Sequence, residues 1–202
     1  MTKTLEFIFD FASPNAYLAY RALPPMLERT GAALKLTPCL LGGIFKATGN
    51  QAPMLAFAGV KGKIEYDMLE MRRFVARYNL TKFRMNPHFP INSLLLMRGM
   101  IAAGAEAQTS YVESVLAAMW EDGQAMGDAA VVAQVLSGAG LDARRILADA
   151  QTDGVKRALV ANTDDAVARG VFGIPTFFVG PEMFFGKERL GQVEECLQSP
   201  QA

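Results

Sequence analysis

Two blocks of strand-forming sequence, one at each end of the chain, enclose a long stretch with helical periodicity. The first block predicts a strand over 4–11, a helix, and a second strand over 34–41. Because a helix separates these strands, they are expected to run parallel in a β-α-β unit. The last block predicts an antiparallel strand pair across 180–181 and a final helix over 187–198. Strands that share a sheet must therefore come from opposite ends of the chain.

The stretch between the two blocks is predicted to be almost entirely helical. Helices are predicted from Asn92 or Ser93 and over the ranges 61–78, 107–121, 128–137, 142–150 and 153–168. The glycines and the proline in 42–53 predict an irregular loop, and 83–90 is expected to be extended.

This order of elements is that of a thioredoxin-like α/β fold interrupted by a large all-helical insertion. We expect residues 1–45 and 155–202 to form one discontinuous domain, with 46–154 as the helical insertion domain. The 202 residues are 51% hydrophobic, so the chain has enough apolar side chain for a sizeable core.

Charge and composition exclude several classes of function. Twenty basic residues balance twenty acidic ones, which argues against a nucleic-acid partner, since phosphates need a basic face. No apolar run is long enough for a membrane helix, and Glu6 and Asp10 interrupt the first apolar stretch, so no signal segment is expected. The expected protein is soluble and cytoplasmic. One histidine and two distant cysteines predict neither a metal site nor a disulfide framework.

The first helix begins at the most informative local motif, Ser13-Pro14-Asn15-Ala16. Ser13 is a suitable N-cap and proline is favoured at the first helical position. Further along this helix, Pro24-Pro25 is expected to kink or divide it, and Gly31 is expected to end it.

In thioredoxin-like oxidoreductases this turn holds a Cys-x-x-Cys pair, and here the two positions are Ser13 and Ala16. A dithiol cycle is therefore excluded. The positive end of the helix and the Ser13 hydroxyl could instead stabilise a thiolate supplied by another molecule. The alternative is that Ser13 only caps the helix.

A second motif, Ile174-Pro175-Thr176, precedes the predicted C-terminal strands. In a fold of this order, Pro175 is a candidate for a cis peptide bond. The residue before it then offers its backbone to an extended thiol-containing peptide. The alternative is an ordinary proline at the start of a strand.

Five segments in series resemble the 2-hydroxychromene-2-carboxylate isomerases, which are relatives of the kappa-class glutathione transferases. They are FDFASP (9–14), GIFKATGN (43–50), KIEYDMLEMRR (63–73), FGIPT (172–176) and FGKERL (185–190). The resemblance spans essentially the whole chain and implies an isomerase that uses glutathione as its cofactor. It also implies a homodimer.

The resemblance implies roles for residues in these segments. Ser13 would hydrogen-bond the glutathione sulfur, and the backbone of Ile174, before Pro175, would pair with the cysteinyl part.

The other implied contacts are with the two ends of glutathione. Asn50 and Lys63 would hold the glycine end, and Lys187 and Glu188 would meet the γ-glutamyl end. The family usually has serine or asparagine followed by aspartate where this chain has Lys187-Glu188, so the glutamyl contacts differ here.

The implied substrate is a small aromatic α-keto acid, to whose electron-poor double bond the thiolate adds reversibly. Lys46, Arg84 and His88 are candidates for binding the substrate, the two cations at its carboxylate; the alternative for each is a surface residue. A kappa-like glutathione transferase or peroxidase and a non-catalytic glutathione- or peptide-binding module remain as alternatives.

Overall fold

A four-stranded mixed sheet joins the two ends of the chain. The computed structural model describes residues 2–199, with strands β1 (Thr4–Phe9), β2 (Ala33–Pro38), β3 (Thr176–Val179) and β4 (Glu182–Phe185). Their order is β2-β1-β3-β4; β1 is parallel to β2 and antiparallel to β3, and β3 is antiparallel to β4. The predicted pairing of strands from opposite ends of the chain is confirmed.

Most of the stretch between β2 and β3 is helical, as predicted. The helices within residues 2–199 are α1 (Pro14–Thr30), α2 (Leu41–Thr48), α3 (Pro53–Ala56), α4 (Lys63–Arg77), α5 (Leu94–Trp120), α6 (Ala129–Gly138), α7 (Ala143–Asp149), α8 (Asp153–Ala168) and α9 (Leu190–Gln198). A 3₁₀ turn, Lys187–Arg189, leads into α9. The two helices predicted around residue 104 form the single element α5, which is broken at Gly104 (φ 74°, ψ 172°). The thioredoxin-like fold with its helical insertion is thus confirmed.

The predicted domain boundaries fall in or beside helices. Residue 45 lies inside α2, and residue 154 lies in the first turn of α8. The division into two domains stays a prediction.

The predicted loop over 42–53 is wrong in its first half, because 41–48 forms helix α2. The N–H of Leu41 donates to the Asp10 carboxylate at 2.7 Å, and Ile44 is fully buried. Asp10 and the core that covers Ile44 are both outside the local sequence, so tertiary contacts override the two glycines at 42–43.

Helix α1 is not divided at its two prolines. Pro24 and Pro25 are exposed, whereas Leu23 and Met26 are buried in the core. The carbonyls that lose their N–H partners can therefore bond to water while the packed face holds the helix on the sheet. Gly31 ends the helix in the left-handed conformation, as predicted (φ 64°).

The helical part is tied to the start of α1 by a buried tryptophan. The Trp120 side chain is fully buried, and its Nε1–H donates to the Phe11 carbonyl at 3.0 Å. The end of α5 therefore supports the turn that precedes Ser13.

None of the helices in residues 2–199 combines the length and the apolar character that a membrane crossing needs. The same residues contain no cluster of three or more His, Cys, Asp or Glu side chains placed to hold a metal ion.

Candidate active site

Ser13 lies between the N-terminus of α1 and the loop before β3. It has extended backbone angles, and its Oγ accepts from the Ala16 N–H at 3.2 Å. The same hydroxyl donates to the carbonyl of Ile174 at 3.1 Å, across 161 residues of sequence. The side chain is buried, with 4% of the residue exposed. Ser13 is therefore a helix cap that also contacts the second predicted motif.

Two hydrogen bonds hold the loop before β3, one at Pro175 and one between Thr176 and Gly173. The Ile174–Pro175 peptide bond is cis. The Pro175 carbonyl accepts from the Gly186 N–H at 2.9 Å, and the Thr176 hydroxyl donates to the Gly173 carbonyl at 2.8 Å. The backbone at Ile174 is thus held opposite the start of α1.

The turn before Ser13 is held by a buried carboxylate, that of Asp10. It was not among the site residues predicted from the sequence. Asp10 is fully buried; it accepts from the N–H of Ala12 at 2.9 Å and from that of Leu41 at 2.7 Å. Burial raises the pKa of Asp10, against the lowering effect of these hydrogen bonds. An acidic residue at the end of a buried strand, directly before the Ser13 turn, was the signal in the sequence that could have identified it.

Asn50 is brought to the same loop. Its side-chain amide donates to the carbonyl of Phe172 at 2.8 Å, two residues before Ile174. Its Oδ1 accepts from the N–H of Gln51. The structure therefore brings Ser13, Ile174 and Asn50 to one loop.

Lys63 lies further away along the chain and has its own partners. It is the first residue of α4, pairs with Asp67 one turn later, and lies over the ring of Phe57 at 4.9 Å. None of these contacts reaches Ser13 or Ile174.

Lys187 and Glu188 form an ion pair in the turn before α9. The Lys187 side chain is 4% exposed and lies 5.3 Å from the ring of Phe74 in α4. The Glu188 side chain is 51% exposed. Lys187 is thus buried against α4, and Glu188 is the member of the pair that faces solvent.

The three candidates for substrate binding are not brought together. Lys46 lines a cavity between α2, α5 and α8. Arg84 and His88 are exposed on the segment between α4 and α5. That segment is held by the Arg84 N–H, which donates to the Trp120 carbonyl at 2.7 Å.

Neither cysteine is a ready nucleophile. Burial raises the pKa of Cys39 to about 12, and its thiol donates to the Asn162 carbonyl at 3.3 Å. Burial also raises the pKa of Cys196. A reactive thiolate at Ser13 would therefore have to come from another molecule.

The fold and this site define a class: a thioredoxin-like protein whose redox turn has serine and alanine in place of the two cysteines. The family model described as a DSBA-like thioredoxin domain matches residues 4–198.

Known proteins are similar over nearly the whole chain. The 2-hydroxychromene-2-carboxylate isomerase of Pseudomonas putida is 30% identical over 196 residues, covering 96% of this chain and 93% of that protein. A solved 2-hydroxychromene-2-carboxylate isomerase structure has a TM-score of 0.82 at 29% identity, over 96% of this chain and 94% of its own. The rat glutathione S-transferase kappa 1 is 28% identical over 93% of this chain and 88% of its own length.

The chain belongs to the DSBA-like thioredoxin family and, within it, to the family of the 2-hydroxychromene-2-carboxylate isomerases. The expectation of an enzyme is confirmed by this membership.

Proposed function

We propose that this chain is a glutathione-dependent cis-trans isomerase of the 2-hydroxychromene-2-carboxylate type. The observation that supports it most is the position of the Ser13 hydroxyl, at the positive end of α1 and 3.1 Å from the Ile174 carbonyl. Family membership supports the reaction type. The kappa-class relatives, which are named as glutathione transferases, support glutathione as the source of the thiol.

The site can ionise a bound thiol. A cysteinyl thiol has a pKa of about 8.5, and lowering it by about two units requires roughly 2.7 kcal/mol. A helix N-terminus contributes up to about 2 kcal/mol, and a hydrogen bond from a hydroxyl to the anion adds about 1.5 kcal/mol or more. Together these effects are sufficient without a metal ion or a histidine base.

Binding of glutathione exchanges hydrogen bonds at Ser13 rather than only adding them. The Ser13 hydroxyl now donates to the Ile174 carbonyl. When it rotates to the sulfur, that carbonyl becomes free to accept from an N–H of the cysteinyl part. The cost of breaking one bond is thus offset by two new ones.

The reaction follows from reversible addition. The thiolate forms a C–S bond at the electron-poor double bond, and the displaced electron pair moves onto the conjugated carbonyl. The former double bond rotates as a single bond. The electron pair then returns, the C–S bond breaks and the thiolate leaves, so glutathione is regenerated.

The remaining contacts keep the roles that the resemblance implies. Asn50 and Lys63 hold the glycine end of glutathione, and Glu188, with Lys187 behind it, meets the γ-glutamyl ammonium. Exposure of Glu188 and burial of Lys187 favour the carboxylate as the direct contact.

We also propose that Lys46, Arg84 and His88 bind the substrate. Lys46 and Arg84 are the cations available to its carboxylate, and His88 lies on the same exposed segment as Arg84.

Counting free thiol during turnover tests the reaction type. With 2-hydroxychromene-2-carboxylate and limiting glutathione, we expect many turnovers per glutathione and no loss of titratable thiol. Ser137→Ala, an exposed change in α6, is the matched control for variants of Ser13 and should behave as wild type. Loss of one thiol per turnover would instead establish the kappa-like transferase, and binding without turnover the non-catalytic module.

A homodimer is proposed as well, and an exposed apolar surface around α3 supports it. Side chains of this surface are between 37% and 68% exposed: Met54, Leu55, Phe57, Val60 and Tyr66. These residues lie close together in sequence, and exposed apolar patches mark interaction sites.

We expect wild type to sediment as a dimer and Leu55→Glu to sediment as a monomer, because a charge in the interface opposes burial. Met85→Glu, at an exposed methionine outside this surface, is the control. A monomeric wild type would contradict the proposal.

The two free cysteines fit the reducing cytoplasm, where we place the protein.

A further inference from the structure

A cavity lies between α2, α5 and α8, and neither Ser13 nor Ile174 lines it. Its volume is about 380 Å³, within the range of about 300–1,000 Å³ found for small-molecule sites. Most of its wall is apolar: Leu40, Leu94, Leu159 and Val160. The cavity can therefore enclose a ring or a short hydrocarbon chain.

The polar part of the lining is predominantly basic. Lys46, Arg98 and Lys156 line the cavity together with one acidic residue, Asp164. Lys156 lies 3.7 Å from Asp153, so its charge is partly compensated. Lys46 is exposed. The balance of charge favours an anion.

Arg98 provides the most specific feature. In the part of the chain that the structure describes, its Nε is buried and has no hydrogen-bond partner. Buried donors of this kind are rare in folded proteins because they lose their bonds to water. Arg98 also lines the cavity, and the two terminal nitrogens of a guanidinium match the two oxygens of a carboxylate.

From these observations we propose that the cavity binds a small monocarboxylate with an apolar body. The carboxylate pairs with Arg98, Lys46 adds its charge at the edge, and the ring or chain contacts the apolar wall. The proposal does not depend on the isomerase function, since neither Ser13 nor Ile174 lines the cavity and Arg98 has no role in the proposed isomerase. Lys46, which does line it, is also one of the two cations named for the isomerase substrate.

Helix α2 nevertheless connects the two sites. It contributes Lys46 to the cavity, and its first N–H, at Leu41, donates to Asp10 below the Ser13 turn. A ligand in the cavity therefore contacts the helix that the Asp10 carboxylate holds.

Calorimetric titration of the whole protein with 1-naphthoate, in the absence of glutathione, tests the proposal. Arg98→Gln should weaken binding by about tenfold or more and Lys46→Gln by about threefold, because a charged hydrogen bond and a nearby charge are lost. The neutral analogue 1-naphthamide should bind wild type about tenfold more weakly for the same reason. Arg144→Gln, an exposed change in α7, and Ser13→Ala should leave the affinity for 1-naphthoate unchanged.

Three results would overturn the proposal. They are absence of 1-naphthoate binding, equal affinity for the acid and the amide, and a loss of affinity in Ser13→Ala but not in Arg98→Gln. The last would place the probe at Ser13. Glutathione titrations of the same samples report on the Ser13 site separately, so failure at the cavity is distinguishable from failure of the proposed isomerase.

Discussion

Ser13→Ala is expected to lower kcat/KM for isomerisation by about 10²-fold, the usual effect of removing one donor to a reacting anion. In the proposed mechanism, the methyl group of the variant cannot donate to the glutathione sulfur, so less of the bound thiol would be ionised at neutral pH. The change also removes the cap of α1, where the Ser13 Oγ accepts from the Ala16 N–H, and should cost about 1 kcal/mol of stability.

Ser13→Thr separates the two effects. Threonine retains the hydroxyl and caps helices nearly as well as serine, so its activity should lie well above that of Ser13→Ala. Steady-state kinetics and thermal unfolding of the same samples measure both effects. If Ser13→Ala kept its kcat/KM within twofold of wild type while losing stability, Ser13 would be only a helix cap.

Asp10→Ala is expected to lower the free energy of unfolding by about 2–4 kcal/mol, because the N–H groups of Ala12 and Leu41 lose a buried acceptor. Asp10→Asn keeps one carbonyl oxygen in nearly the same volume and should lose less. Urea unfolding at neutral pH measures both changes. A loss below about 1 kcal/mol in Asp10→Ala would show that water replaces the carboxylate.

The sign of the pH dependence at Asp10 follows from its raised pKa. Burial favours the neutral acid in the folded state. The contribution of Asp10 to the free energy of unfolding is therefore fully present below the pKa of the unfolded state, about 3.9. That contribution declines as the pH rises toward the raised folded-state pKa. In Asp10→Asn this part of the pH dependence should disappear.

Local periodicity was sufficient to predict the sheet and most helices. The prediction of α8 over 153–168 agrees with the observed helix, since its apolar spacing lies within the segment and its N-cap, Thr152, directly precedes it. Helix α2 was missed, because its N-terminal partner is the Asp10 carboxylate, 31 residues earlier. Pro24 and Pro25 led to the prediction of a kink or a division in α1, but the helix is continuous because the buried residues beside them hold it on the sheet.

The sequence indicated which residues to consider at the site but not all of their contacts. The resemblance assigned Ser13 and the Ile174 backbone to the same part of glutathione, and in the structure the two residues are hydrogen-bonded to each other. The burial of Lys187 against Phe74 could not be inferred, because α4 and the turn before α9 are far apart in sequence. Nor does a single arginine on α5 indicate a cavity, which exists only once three helices pack around it.

The most direct test of the central claim is a pH titration of the thiolate absorbance of glutathione bound to wild type and to Ser13→Ala. We expect the bound thiol to titrate near pH 6.5 in wild type, about two units below free glutathione, and at least one unit higher in the variant. Glutathione that binds with its free-solution pKa, or fails to bind at all, would contradict a thiolate site at the N-terminus of α1.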